Sequence, residues 1–251
     1  MKAGLKLLPI GVAAYVLFLV VMAPAAKVIP HVQSQLEGVR LAGISGTLWS
    51  GRALQVSVPP VQLTQVGWSL KPLGLFLGSV VFELDGQLGG RAVSARASRG
   101  LFSGPSLADV NGSVPAIDLM YWAGMRAVEL DGVIDFSLDE VEFSGGALPA
   151  VAGRLVWKPA MVMSPIELNL GLAELTTAIE SDGITRGQLI ANGGALTMQG
   201  EMTLQSDGNY QLIGDVKKTG AVPQAVEKFL STFAEQGNGG YRLEWSDRIK
   251  E

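Results

Sequence analysis

From Leu196 to Gln205 apolar and polar positions alternate without a break. Leu196, Met198, Gly200, Met202 and Leu204 hold one parity; Thr197, Gln199, Glu201, Thr203 and Gln205 hold the other. Successive side chains of an extended chain point to opposite faces, so the pattern predicts a half-buried strand. Ser206-Asp207-Gly208-Asn209 supplies turn chemistry, after which Tyr210, Leu212, Gly214 and Val216 alternate with Gln211, Ile213, Asp215 and Lys217. The two runs predict an antiparallel hairpin. The same period recurs in Leu54/Val56/Val58, Val80/Phe82/Leu84, Leu130/Ile134/Phe136/Leu138 and Ile166/Leu168/Leu170, divided by Gly, Pro, Asn or Asp. Together these runs predict an all-β chain, either a curved antiparallel sheet or an open sandwich of short strands.

Two interruptions of the period predict helices that cover the sheet. Val222, Val226, Phe229, Leu230 and Phe233 recur at helical spacing, with Pro223 near the start and Gly237 past the end, which predicts an amphipathic helix of about four turns. A shorter helix is expected between Ala116 and Met125, where Asp118, Tyr121 and Trp122 break the alternation. Packing against the core is the expected role of both.

A third pattern belongs to neither strand nor surface helix. Leu7 to Ala26 is a run of 20 uncharged residues between Lys6 and Lys27. At about 1.5 Å per residue it just crosses a hydrocarbon core of roughly 30 Å. Lys2 and Lys6 on its N-terminal flank hold that end in the cytoplasm, which sends the 224 residues after Lys27 across the membrane. The expected organisation is a cytoplasmic tail (1–6), a single transmembrane anchor (7–26) and an exported all-β domain (27–251). Ala23-Pro24-Ala25 has the small-x-small form of a signal-peptidase site, which leaves a cleaved, secreted form as the alternative. The full spanning length, and Pro24 beside the scissile bond, favour the uncleaved anchor.

Composition narrows what the exported part can do. The chain has no cysteine, so neither disulfides nor thiolate metal sites contribute. Setting aside Lys2, Lys6 and Lys27 leaves 16 of the 19 basic residues against 23 acidic ones, a net of −7. That balance argues against nucleic acid and against adsorption on anionic lipid headgroups. Charged residues make up only 17% of the chain, so part of the surface is expected to face something other than water.

Catalytic chemistry finds little to work with. His31 is the only histidine and follows the apolar run by five residues, where it reads as an exposed juxtamembrane side chain. No Gly-x-Ser-x-Gly, P-loop or dinucleotide fingerprint occurs, and Gly237-Asn238-Gly239-Gly240 follows a helix rather than opening one. Glu129, Asp131, Asp135, Asp139, Glu140 and Glu142 form an acidic cluster, the first four on one parity opposite Leu130, Ile134, Phe136 and Leu138. A solvated strand face, a docking surface for a basic partner and a cation site all remain open for it. Trp49, Trp68, Trp122, Trp157 and Trp245 are expected in the core rather than as a ligand-stacking set. No catalytic, cofactor-binding or metal residue is assigned, and a non-enzymatic protein is expected; Asp131, Asp135 and Asp139 are the only carboxylates dense enough to test for glycoside chemistry.

An imperfect internal repeat is also visible. Gly46-Thr47-Leu48 opens a stretch that closes at Trp68-Ser69-Leu70-Lys71-Pro72, and Gly132-Val133-Ile134 opens another that closes at Trp157-Lys158-Pro159. Two repeated halves could extend a sheet sideways.

The chain resembles a known family at Gly43-Ile44-Ser45-Gly46-Thr47-Leu48-Trp49-Ser50-Gly51-Arg52-Ala53 and at Val66-Gly67-Trp68-Ser69-Leu70-Lys71-Pro72. Gly208-Asn209-Tyr210-Gln211-Leu212-Ile213-Gly214 and the closing Gly240-Tyr241-Arg242-Leu243 fit the same pattern. These segments resemble the type II secretion system protein N family, and more distantly AsmA-type proteins, whose curved sheets enclose an apolar trough. The resemblance implies a single-pass component of the Gram-negative inner membrane with its main domain in the periplasm. It implies a role in moving folded proteins across the outer membrane, with other secretion components as partners. The alternative it implies is a lipid-binding or lipid-transfer module. An inward face carrying Met198, Met202, Leu204 and Leu212 separates the two architectures: a sandwich covers it with a second layer, a trough leaves it open.

Overall fold

The period-two runs are strands of one sheet. The structure, a computed structural model, describes residues 15, 18, 22–33, 38–76, 78–100, 104–122, 124–125, 127–143, 148–180, 182–237 and 239–248. A helix α1 (Ala25–Gln33) precedes β1 (Arg40–Ala42), β2 (Ser45–Gly46), β3 (Ser50–Val58) and β4 (Val61–Leu70). A short helix α2 (Pro72–Phe76) leads to β5 (Ser79–Leu88), β6 (Arg91–Gly100) and β7 (Pro105–Pro115), and α3 (Ala116–Trp122) leads to β8 (Glu129–Glu142). Then come β9 (Ala150–Ser164), β10 (Leu168–Ile179), β11 (Thr185–Gly193), β12 (Leu196–Leu204) and β13 (Asn209–Lys218). Helix α4 (Gln224–Phe233), β14 (Ala234–Gly237) and β15 (Gly240–Arg248) close the chain.

From β3 to β13 each strand pairs antiparallel with the next in sequence, β1 and β2 share the outer edge of β3, and β15 pairs with β13 inside a β14 edge. Because strands successive in sequence are neighbours in the sheet from β3 to β13, no second layer begins among the described residues. All strands among the described residues therefore form a single open sheet, and the sandwich alternative falls away. The strands are also longer than expected, with 14 residues in β8 and 15 in β9.

Register sorts the side chains into two faces. One row across eight strands reads Val114, Ile134, Trp157, Ala173, Ala191, Met198, Val216 and Tyr241. One residue along, the row reads Ser113, Asp135, Val156, Glu174, Ile190, Gln199, Asp215 and Arg242. The first row lies on an apolar inner face and the second on a polar outer face, as the alternation of β12 and β13 requires.

With no second sheet, helices cover the inner face, and only at one end. Ala116, Leu119 and Trp122 of α3 pack with Val114, Ile134, Leu155 and Trp157. Val226 and Leu230 of α4 pack with Leu196, Met198, Val216 and Tyr241. Fully burying such side chains stabilises by roughly 1.5 to 3 kcal/mol each, so these two clusters anchor the sheet. The α4 stripe divides, because Phe229 and Phe233 lie on the exposed side with ring centroids 4.9 Å apart. The helix is also shorter than the four turns expected: its last apolar residue is followed at once by β14, whose backbone pairs with β15 instead of continuing the helix.

The sheet curls towards its inner face. Neighbouring strands stand about 4.8 Å apart, so β9 and β11, on either side of β10, would be roughly 9.6 Å apart if flat. Yet the Val151 amide of β9 donates to Thr185 Oγ1 of β11 at 3.0 Å. The Leu148 amide, before β9, donates to the Ser206 carbonyl in the β12–β13 turn at 3.1 Å, spanning the ends of β10 and β11. At the opposite end β10 bends over the β11–β12 turn, where Ala195 N–H donates to the Asn169 carbonyl at 2.8 Å and carries Leu168 and Leu170 into the α4 cluster. Only glycine fits at position 194 beneath this crossing, since a Cβ there would collide with the Asn169 carbonyl and the Leu170 backbone. Bulges at Gln65 and Asp109, both at positive φ, bend β4 and β7.

Most of the Leu7–Ala26 run lies outside the described residues. Within it Met22 N–H donates to the Phe18 carbonyl at 2.9 Å, a helical turn, and Ala25 at the start of α1 is fully buried. Among the described residues no helix is long and apolar enough to cross a membrane. His31 falls on α1, and its side chain lies outside the described residues.

The two faces make opposite demands on one strand. Met198→Asp places a charge against the α4 cluster and should cost at least the roughly 1.5 to 3 kcal/mol of lost burial, whereas Thr203→Asp lies on the outer face opposite Arg186 and should cost little. Urea unfolding of the detergent-solubilised chain measures both; equal losses would contradict the face assignment.

Candidate functional site

Among the described residues the inner face is uncovered away from α3 and α4. Met202, Leu204 and Leu212, set on the inward parity by their register, are half-buried, with no strand layer over them among the described residues; Met198 alone of the four reaches the α4 cluster. Leu155, Leu175 and Leu189 continue the half-buried apolar surface across β9, β10 and β11.

At the end away from α3 and α4 this face deepens into a hollow of about 780 Å³. Its floor is the paired row Phe82, Ala97 and Leu107 of β5, β6 and β7. Leu75 of α2 and Phe143, just after β8, form its walls. Helix α2 is held in place from both sides: Lys71 N–H donates to the Val81 carbonyl at 2.8 Å, and Ser79 Oγ to the Gly74 carbonyl at 3.2 Å. Ser98 and Ser106 on the lining bond each other, Oγ to Oγ, at 2.9 Å. That leaves Arg99 at the rim as the one charged group of the lining, and it has no ion-pair partner among the described residues. The volume suits a small ligand, and the lining offers apolar contact with a single cation at the mouth.

The outer face carries the cross-strand ion pairs. Lys71–Glu83, Arg96–Asp109, Arg154–Glu174 and Lys158–Asp135 are ion pairs of 2.6 to 2.8 Å between strands or at their ends. The hydrogen bond from Arg154 holds the Glu174 carboxyl below its ordinary pKa, and that from Arg186 does the same for Glu180. Lys218, bonded to Glu227 of α4, is raised. All three shifts keep exposed groups charged, the reverse of what a general acid or base needs.

The residues singled out from the sequence have separate places. In the acidic cluster, Asp131 accepts from the Gly132 amide at 2.7 Å and Asp135 pairs with Lys158. Among the described residues no three His, Cys, Asp or Glu side chains could hold a metal ion together. The tryptophans mostly tie strands. Trp68 Nε1 donates to the Thr47 and Leu48 carbonyls at 3.3 and 3.2 Å, and Trp157 Nε1 to the Asp131 carbonyl at 2.8 Å. The Trp68 ring lies over Gly51, where a Cβ would strike it. Trp245, bonded to Tyr210 Oη at 3.1 Å, is the exposed exception on the inner face. Sequence reasoning missed the hollow, because its walls come from a one-turn helix and a loop residue that obey no strand period. The only available signal was apolar Leu73 and Leu75 immediately after Lys71-Pro72.

The described family model that matches is type II secretion system (T2SS), protein N, over residues 37–244, a span that runs from just before β1 into β15. The chain is 27% identical over 215 residues to type II secretion system protein N of Vibrio cholerae, covering 82% of this chain and 83% of that one. It is 27% identical over 256 residues to the Aeromonas hydrophila protein of the same name, covering 99% and 100%. With the Pectobacterium carotovorum protein of that name it shares 24% identity over 248 residues, 96% of each. No solved structure matches it.

If the hollow is an open apolar site, the fluorescent apolar probe anilinonaphthalene sulfonate should bind the folded protein. Ala97→Trp, which fills the floor between Phe82 and Leu107, should cut that fluorescence severalfold with an unchanged far-UV spectrum. Undiminished fluorescence in a folded variant would place the binding elsewhere.

Proposed function

Since the chain belongs to the type II secretion system protein N family, we propose that it is a non-enzymatic inner-membrane component of that apparatus, supporting export of folded proteins from the periplasm across the outer membrane. The observation that carries this reading is the extent of the family match, which takes in the sheet almost from edge to edge. The family-specific part is therefore the β-domain, and the N-terminal run serves as its single-pass anchor, with the N-terminus cytoplasmic. Other secretion components are its partners. The described lining of the hollow, apolar but for serines and Arg99, supports a binding or assembly role.

One observation favours a second reading. An apolar face that no second layer covers, deepened into a hollow, suits an AsmA-like lipid-binding or lipid-transfer module. The two readings are compatible in one molecule, but they differ in what is retained on purification.

The test is genetic and biochemical together. Deleting the gene should reduce secretion of the apparatus's substrates, and the wild-type chain should restore it while remaining in carbonate-washed membranes with Met1 or Lys2 at its N-terminus. Asp131→Asn, Asp135→Asn and Asp139→Asn combined should restore secretion fully if those side chains are a solvated face. Selective loss with the fold retained would assign them to docking. Secretion unaffected by deletion, with lipid alone co-purifying, would favour the second reading.

A further inference from the structure

The apolar run and the hollow meet at the same end of the sheet. Pro24 forms a bridge with Thr47, and Leu48 N–H donates to the Ala23 carbonyl at 3.1 Å. The next residue, Trp49, accepts from Leu70 N–H at 2.6 Å, two residues before α2 begins. The last residues of the uncharged run are thus hydrogen-bonded to the sheet beside α2, with no linker between them. A chain extends at most about 3.6 Å per residue, so a run that leaves a bilayer here cannot hold the α2 end away from it.

That end is shaped for such contact. Leu73 is 77% exposed, Leu75 50%, Val80 40% and Phe143 45%, and the last three line the hollow. Arg99 lines the same hollow, with no ion-pair partner among the described residues, and its long side chain can reach phosphate depth while its stem follows apolar surface. The exported part carries a net of −7, so apolar insertion rather than attraction to anionic lipid must drive the contact. The α3 and α4 end has exposed apolar side chains too, Tyr121, Phe229 and Phe233, but no membrane-length run emerges there.

We propose that the α2 end of the sheet is seated in the bilayer that the N-terminal run spans, with Leu73, Leu75 and Phe143 in the interfacial layer and the hollow opening onto lipid. The inference rests on the anchor reading above and adds to it an orientation: the sheet stands on the membrane by its α2 end and presents α3 and α4 to the periplasm.

Because the chain contains no cysteine, single-cysteine probes are specific. The full chain carrying Val20→Cys, Leu75→Cys, Phe143→Cys or Phe233→Cys, labelled with nitrobenzoxadiazole, is reconstituted into phosphatidylcholine vesicles with doxyl-labelled phosphatidylcholine. The label at 20 should be quenched by deep doxyl groups, those at 75 and 143 by shallow ones, and that at 233 by neither. Leu73→Asp combined with Leu75→Asp, both at exposed sites, should reduce quenching at 143 at least twofold while leaving that at 20 unchanged. Labels at 75 and 143 no more quenched than that at 233 would overturn the proposal, and with 20 still quenched the anchor would stand without it. An unquenched label at 20 would remove the anchor and the proposal together.

Discussion

One continuous ladder of antiparallel backbone hydrogen bonds, from β1 across to β14, holds this molecule together. A single layer satisfies its amides and carbonyls well, but it has two faces and nothing to press one of them against. Every other feature answers that constraint. The cross-strand ion pairs lie on the outer face, where pairs such as Arg154–Glu174 sit in water. The inner face is apolar, curls upon itself and borrows two short helices to make the only fully buried clusters among the described residues. Away from those helices the apolar surface stays half-exposed, which is an unusual condition for a domain in water and an ordinary one for a surface that meets something else.

The strand content was legible because the face assignment is written into the period of two. In β12 and β13 the alternation, the Asp207-Gly208 turn and the observed register of Leu204 with Tyr210 agree residue by residue. Helices α3 and α4 were legible from the residues that break the alternation, although the end of α4 was not, since Ala234 to Gly237 has no pattern of its own and becomes a strand only by pairing with β15. What local sequence did not decide was the number of layers: alternation specifies that one face is apolar, and says nothing of whether another sheet covers it. The bulges at Gln65 and Asp109 were equally hidden, because neither residue is a glycine and the left-handed backbone there follows from the pairing on either side.

The candidate site divides in the same way. The tryptophans were expected in the core: Trp122 and Trp157 pack against the α3 cluster, while Trp68 lies outside it and, like Trp157, gives its indole N–H to a carbonyl of a neighbouring segment. The hollow was not foreseen, because it is made by a gap: α3 and α4 cover the far end of the inner face, and α2 stops after one turn. Membership of the secretion family gives that uncovered surface a setting, the cell envelope, in which an apolar face has partners available, whether lipid or the other proteins of the apparatus.

The central claim is that the inner face is open in the folded protein. The most direct measurement is the rate at which a small maleimide modifies Leu189→Cys, at the middle of that face, compared with Gln188→Cys on the outer face and Val216→Cys beneath α4, where the native side chain is 1% exposed. An open face predicts a Leu189→Cys rate within about tenfold of that at 188 and far above that at 216. A rate at 189 as slow as that at 216 would mean that a second layer covers the sheet and would contradict the account.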